Sequence, residues 1–325
     1  MSSMLPVSGA SEEKPRLANY VRIARPDHWV KNIFMIPGAA LGFAFLPSRN
    51  PAILLTLVLA LVSTCLVASA NYTINEFLDA PFDRYHPLKS ARPGAQGLLD
   101  GRLVALQYAV LVLVGCAIAA AIGPAFLLTS VVLLVMGIIY NVPPIRSKDR
   151  MYLDVLSESI NNPLRFLLGW FAVAAAVLPP SSVLIAYWMG GAFLMGVKRY
   201  SEYRRIADPA RAALYRRSFG QYTEQSLLLS SFFYALCSAF FIAIFLIKYR
   251  IELLLTFPLF AVLFTWYLAI GLKGDSAAQA PEKLYRERAF MGFAALTFVV
   301  AALLFFINLP FLDVLMRPAI LTLHF

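Results

Sequence analysis

Charge is what this chain has least of. Only 14% of its 325 residues are Asp, Glu, Lys or Arg, against about 25% in an ordinary soluble domain, and 60% are hydrophobic with a mean hydropathy of +0.71. Those values exclude a soluble globular domain of this length. Cysteine is scarce too. Cys65, Cys116 and Cys237 all fall inside apolar segments without paired spacing, which excludes a disulfide framework and a cysteine-based zinc site. The first 18 residues lack an apolar core, so they are expected to form a polar tail (residues 1–20, disordered and cytoplasmic) rather than a cleaved leader. No low-complexity linker interrupts residues 21–325, which read as one domain.

What the chain does have is long apolar runs. Segments of the length that crosses a bilayer, about 17–25 residues, fall at 30–47, 52–74, 104–122, 124–141, 155–178, 181–197, 223–247, 252–272 and 289–309. They predict an all-α, polytopic membrane protein with nine transmembrane helices. The formal charge of +10 is a matter of topology rather than of nucleic-acid binding. With nine crossings, 23 of the 28 Lys and Arg lie on one side, in the N-terminal segment and the loops after the even-numbered helices. The positive-inside rule places that side in the cytoplasm and the C-terminus opposite.

The most informative stretch closes the second apolar run. Asn75, Glu76, Asp79 and Asp83 are followed at once by His86, Lys89 and Arg92. Residues 76, 79 and 83 stand at i, i+3, i+7, which brings three carboxylates to one face of a continuing helix with Asn75 beside them; Pro81 bends such a helix without scattering them. Magnesium takes a few carboxylates together with phosphate oxygens and water, and arginine and lysine hold the oxygens that the metal leaves. The simpler alternative is a solvated helix end whose acids are balanced by Arg84, Lys89 and Arg92, but acids at the end of a membrane helix are costly without a function.

Three further clusters lie on the same side. Tyr140 opens a segment leading to Asp154, Glu158, Asn161 and Arg165, which continue one helical face at i, i+4, i+7 and i+11. That face is either a polar site wall or a simple Glu158–Arg165 pair. At the end of the sixth run, Lys198, Glu202 and Arg205 share a face; Lys198 and Glu202 are expected at the site, and the distal Arg211, Arg216 and Arg217 as anchors to anionic lipid. Near the start, Lys31 and Asn32 lie just inside the apolar boundary. Lys31 can snorkel, whereas Asn32 cannot and is expected to line a cavity.

On these motifs the chain resembles the UbiA superfamily of intramembrane prenyltransferases, whose aspartate-rich signature reads NDxxDxxxD. Within it the chain is most similar to the decaprenyl-phosphate phosphoribosyltransferase branch, through RPxxWVKN at Arg25–Asn32, HPxKxxRP at His86–Pro93, KRYxE at Lys198–Glu202 and PExxxxxR at Pro281–Arg288. Glu76 departs by replacing the usual aspartate, and Asn161-Asn162-Pro163 replaces a small, apolar stretch.

The resemblance implies a magnesium-dependent transferase that moves phosphoribose from phosphoribosyl pyrophosphate to a polyprenyl phosphate within the bilayer. Asn75, Glu76, Asp79 and Asp83 would serve as catalytic and metal residues. Lys31, Asn32, His86, Lys89, Arg92, Tyr140, Asp154, Glu158, Arg165, Lys198 and Glu202 would bind substrate. Transfer of a prenyl group from its diphosphate to an aromatic or other small acceptor is the alternative, and a membrane transporter the third reading. Homo-oligomerisation is compatible with all three, and no nucleic acid is expected.

Overall fold

A single helix of 31 residues, Ile53–Asp83, organises the fold. At about 1.5 Å per residue it is about 46 Å long, well beyond a hydrocarbon layer of about 30 Å. Its apolar first part therefore spans, and its last turns carry Asn75, Asp79 and Asp83 out to the interface. Pro81 sits inside the last turn and the helix runs on to Asp83, as the carboxylate spacing requires.

The computed structural model describes residues 17–46, 52–85, 89–273, 278 and 281–315. In chain order the helices are α1 Leu17–Ala24, α2 Ile36–Phe45, α3 Ile53–Asp83, α4 Gly101–Ile122, α5 Pro124–Asn141, α6 Leu153–Ser159, α7 Asn161–Val173, α8 Ser181–Ile206, α9 Pro209–Tyr215, α10 Glu224–Tyr249, α11 Phe257–Gly271, α12 Arg288–Phe306 and α13 Pro310–Leu315, with no strand among the described residues. Asp100 caps α4 by accepting from the Arg102 and Leu103 amides. Gly123, at φ 154°, turns the chain directly into α5.

Among the described residues, seven helical segments are long and apolar enough to cross a membrane: α3, α4, α5, α8, α10, the stretch 251–271 that ends in α11, and α12. Large apolar side chains stay exposed along them, among them Phe232, Phe233 and Phe240 on α10 and Leu296 and Phe298 on α12. That is the surface of an integral membrane protein.

The first and fifth expected helices are built differently from the sequence reading. Residues 30–47 are not one helix. A 3-10 helix, Pro26–Met35, opens with Pro26 after Arg25 at φ 52°, and α2 then takes over at Ile36. Residues 17–20 of the expected tail are helical, because α1 begins at Leu17; residues 1–16 lie outside the described residues. The expected 155–178 helix divides into α6 and α7 and stops at Val173. Pro163 accounts for the division. It has no amide to bond the Ser159 carbonyl, so the helical ladder is interrupted there.

These pieces pack deeply. Gly38 on α2 and Gly169 on α7 let the two backbones meet, as small residues do between membrane helices. A Cβ added at Gly169 would lie 1.9 Å from the Met35 carbonyl oxygen, and one at Gly38 would lie 2.0 Å from that of Phe166. The crossing fixes the 3-10 segment against α7 and so places Asn32 beside Arg165, whose Nε donates to Asn32 Oδ1 at 2.9 Å. Gly169→Ala is expected to force the helices apart at a cost of about 1–3 kcal/mol, read as a lower melting temperature in detergent. An unchanged melting temperature would show that the crossing can relax.

Candidate active site

α3, α5 and α8 end on the same side of the bundle, and α6 begins there. Between these ends lies a cavity of about 150 Å³. Its lining contains ten Lys and Arg side chains but four Asp and Glu.

α3 contributes the acidic wall. Asn75, Asp79 and Asp83, one turn apart, all line the cavity. Asn75 Nδ2 donates to Asp79 Oδ2 at 3.2 Å and to Asn141 Oδ1 at 2.5 Å. The other Asp79 oxygen accepts from Arg146 Nη2 at 2.9 Å and from Lys148 Nζ at 2.5 Å. Asp83 Oδ2 accepts from Arg92 Nη1 at 2.7 Å.

The turn after α5 delivers two of these cations. Pro143-Pro144 end the helix, and Arg146 adopts the left-handed region at φ 30°. Its side chain reaches back to the Asn141 carbonyl at 2.9 Å and lies over the Phe82 ring. Lys148 is 4% exposed and also donates to Asn141 Oδ1 at 2.6 Å. Burial pulls its ammonium down to about 8, against the raising effect of Asp79. At Arg92 burial also favours loss of the charge, but Asp83 and Glu76 outweigh it and hold the guanidinium above its ordinary value. Both cations are therefore held in place by the acids they neutralise.

The opposite wall centres on Arg199, which is 1% exposed. It donates through Nε to Asp154 Oδ2 at 3.3 Å, through Nη1 to Glu202 Oε2 at 3.0 Å, and through Nη2 to Glu158 and to the Tyr140 hydroxyl at 3.2 Å. Tyr140 in turn donates to Glu158 at 2.7 Å. Asp154 accepts further bonds from Ser218 at 3.1 Å and Tyr222 at 2.8 Å. One guanidinium thus ties α5, α6 and α8 together behind the cavity. Lys89 joins this wall, donating to Tyr215 and lying 3.7 Å from Glu202.

The structure brings Lys31, Asn75, Asp79, Asp83, Lys89, Arg92, Tyr140, Glu158 and Lys198 of the expected residues to this cavity. Asp154 and Glu202 stand behind it as partners of Arg199. Asn32 and Arg165 pair with each other deeper in the bundle, with Asn32 Nδ2 donating to Cys65. Neither lines the cavity, and the alternative of a simple Glu158–Arg165 pair gives way to a Glu158–Arg199 pair. Glu76 is a further correction. It is 3% exposed and outside the lining. The lining face of α3 runs through 75, 79 and 83, and residue 76 is turned about 100° from Asn75. His86 lies outside the described residues.

Arg146, Lys148 and Arg199 were missed by sequence reasoning. Arg216, expected as a lipid anchor, instead lines the cavity between the Tyr215 and Phe219 rings and donates to the Tyr140 hydroxyl at 3.4 Å. Arg217 also faces the cavity, over Phe82 and 3.6 Å from Asp149. The sequence signal for both was the ring-rich run from Tyr215 to Tyr222.

Among the described residues no three Asp, Glu, His or Cys side chains gather as a metal site of their own. Asn75, Asp79 and Asp83 nevertheless offer hard oxygen donors on one face. That set suits a cation such as magnesium, which takes one or two carboxylates and completes its shell with phosphate oxygens and water.

Residues 35–294 match the family model described as UbiA prenyltransferase family. Among curated proteins, the chain is 30% identical over 201 residues to the nodulation protein NoeC of Azorhizobium caulinodans, covering 62% of each. It is also 30% identical over 213 residues to the decaprenyl-phosphate phosphoribosyltransferase of Mycobacterium tuberculosis, covering 65% of this chain and 68% of that one. The matches thus span about two thirds of these relatives' length. Among solved structures, a UbiA homolog from Archaeoglobus fulgidus bound to GPP and Mg2+ superimposes with a TM-score of 0.66 at 24% identity, over 87% of this chain and 99% of that one.

Proposed function

The chain belongs to the UbiA prenyltransferase family and is a membrane transferase, and we propose that it transfers 5-phosphoribose from phosphoribosyl pyrophosphate to the phosphate of a polyprenyl lipid, releasing pyrophosphate. The observation that carries this reading is the excess of cations, ten against four acids, around one cavity. Each phosphate group brings about −1.5 to −2 charges. A prenyl diphosphate with a neutral acceptor presents one such cluster; phosphoribosyl pyrophosphate and a lipid phosphate present three, at separate places.

Asn75, Asp79 and Asp83 would hold magnesium on the donor's diphosphate. When bound, the ion neutralises charge on the departing pyrophosphate. Arg146, Lys148 and Arg92, which now neutralise Asp79 and Asp83, are placed to take up phosphate oxygens when the acids turn to the metal. A lipid phosphate oxygen then attacks the anomeric carbon, and the carbon–oxygen bond to pyrophosphate breaks with its electron pair leaving on pyrophosphate. The nucleophile is already anionic, so no protein base is needed. The distribution of Lys and Arg favours a cytoplasmic N-terminus and cavity, with the C-terminus opposite.

A second reading keeps the same acids on a prenyl diphosphate, whose chain would occupy an apolar chamber of about 240 Å³ beside the cavity. Purified protein supplied with magnesium, labelled phosphoribosyl pyrophosphate and decaprenyl phosphate separates the two. The proposed reaction yields a labelled lipid whose formation stops on chelation; label remaining wholly in water would contradict it.

A further inference from the structure

Two amide oxygens of the cavity lining, Asn71 Oδ1 and Asn161 Oδ1, are closed off from solvent and accept no hydrogen bond from any described residue. The cations around them do not serve, because Arg92, Arg146, Lys148 and Arg199 are each bonded to an acid. An amide oxygen can only accept, and one left unmet away from water is costly. The group that completes each of them is a hydrogen-bond donor carried by the substrate.

Packing sets both residues in place. Positions 71, 75, 79 and 83 follow at four-residue steps on α3, so Asn71 extends the face of Asn75, Asp79 and Asp83 by one turn, about 6 Å. Its Nδ2 donates to the Leu133 carbonyl at 2.9 Å, which fixes the sense of the amide. The register continues across to α5. Asn75 meets Asn141, and one turn back Asn71 meets Gly137, where any side chain would collide with its amide. Asn161 opens α7, which packs against both α3 and α5, and its backbone carbonyl is held by Arg165 Nη1 at 3.2 Å. It belongs to the Asn161-Asn162-Pro163 stretch by which this chain departs from the branch it resembles.

Resting on the phosphoribosyl-transfer reading, we infer that Asn71 and Asn161 accept hydrogen bonds from the 2- and 3-hydroxyls of the donor's ribose, and so select a sugar diphosphate over a prenyl one. With the diphosphate at Asn75, Asp79 and Asp83, the next turn of α3 faces the sugar joined to it. Anionic phosphate oxygens cannot serve an acceptor, and a prenyl chain carries no hydroxyl. A site built to bond a hydroxyl rejects the analogue that lacks it, because its own polar atoms then stay unpaired. A neutral amide does this without adding negative charge beside the diphosphate.

The test is calorimetric binding to the full-length protein in detergent, with magnesium and without acceptor. The ligands are the carbocyclic analogue of phosphoribosyl pyrophosphate, which cannot react, and the same compound without its two ring hydroxyls. Wild-type protein is expected to bind the dihydroxy compound about a hundredfold more tightly, about tenfold for each contact. Asn71→Leu and Asn161→Leu, close in shape but without an acceptor, should each reduce that preference to about tenfold while leaving affinity for the dideoxy compound unchanged. A residue that only held the fold would weaken both compounds together. Should a leucine variant fail to fold, the wild-type comparison still decides, and Asn161→Asp, which retains an acceptor, should keep the preference. Equal wild-type affinity for the two compounds, or equal loss of both in the leucine variants, would overturn the assignment. Failure of wild-type protein to bind either analogue while it binds geranyl diphosphate would instead count against the phosphoribosyl reading itself.

Discussion

Asp79→Asn is expected to lower kcat by about 10²- to 10³-fold, the scale seen when one group that stabilises charge in a transition state is lost. The carboxylate sits at the junction of the site, with Asn75 on one oxygen and Arg146 and Lys148 on the other. Asparagine keeps the shape and one acceptor oxygen. It removes the negative charge that a metal would need, and it leaves two close cations less well neutralised. Activity should therefore fall far more than folding, and the magnesium concentration giving half-maximal rate should rise. The check is a magnesium titration of turnover for both proteins at equal folded concentration. A variant within tenfold of wild type at the same magnesium optimum would remove Asp79 from the chemistry.

Arg199→Met should have the largest effect on stability, about 3–5 kcal/mol, because removing one partner of a buried ionic cluster strands the others. Here the stranded groups are Asp154, at 0% exposure, and Glu202, at 4%, with Glu158 at the cavity edge. Lysine at this position restores the charge but cannot reach three acids with one ammonium, so Arg199→Lys should fall between the two. Melting temperatures in detergent give the order wild type, lysine, methionine. Equal melting temperatures for wild type and Arg199→Met would mean that the three acids are neutralised by other groups. Turnover should fall with stability in this series, since Arg199 also orients Tyr140 and Glu158 on the cavity wall.

Much of this architecture was readable from residue spacing alone. The acids ending α3 follow a charge-free apolar run, so both their depth and their shared face could be read from the sequence. Asn75 and Glu76 were both read as site residues, but adjacent residues on a helix point about 100° apart; the cavity takes the side of Asn75, and Glu76 packs away from it, with its backbone carbonyl close to Gly94. Arg199 was missed for a different reason. Its neighbour Lys198 made the better stripe with Glu202 on the same helix, whereas the acids that demand an arginine at 199 come from α6, 45 and 41 residues earlier. Arg146 and Lys148 follow two prolines, where the chain direction is set by turn geometry rather than by a period of 3.6. The division at Pro163 was legible in principle, since a proline eight residues into the expected span 155–178 leaves the Ser159 carbonyl behind it unbonded.

The cationic wall is the ground for the proposed donor, and competition between donors tests it most directly. Purified protein is given magnesium, decaprenyl phosphate and an aromatic prenyl acceptor, with phosphoribosyl pyrophosphate and geranyl diphosphate together, and kcat/KM is measured for each donor from its own product. A strong preference for phosphoribosyl pyrophosphate, lost in Arg146→Gln and Lys148→Gln, is the expected result. A preference for geranyl diphosphate, undiminished in those variants, would contradict the account and return the cavity to prenyl transfer.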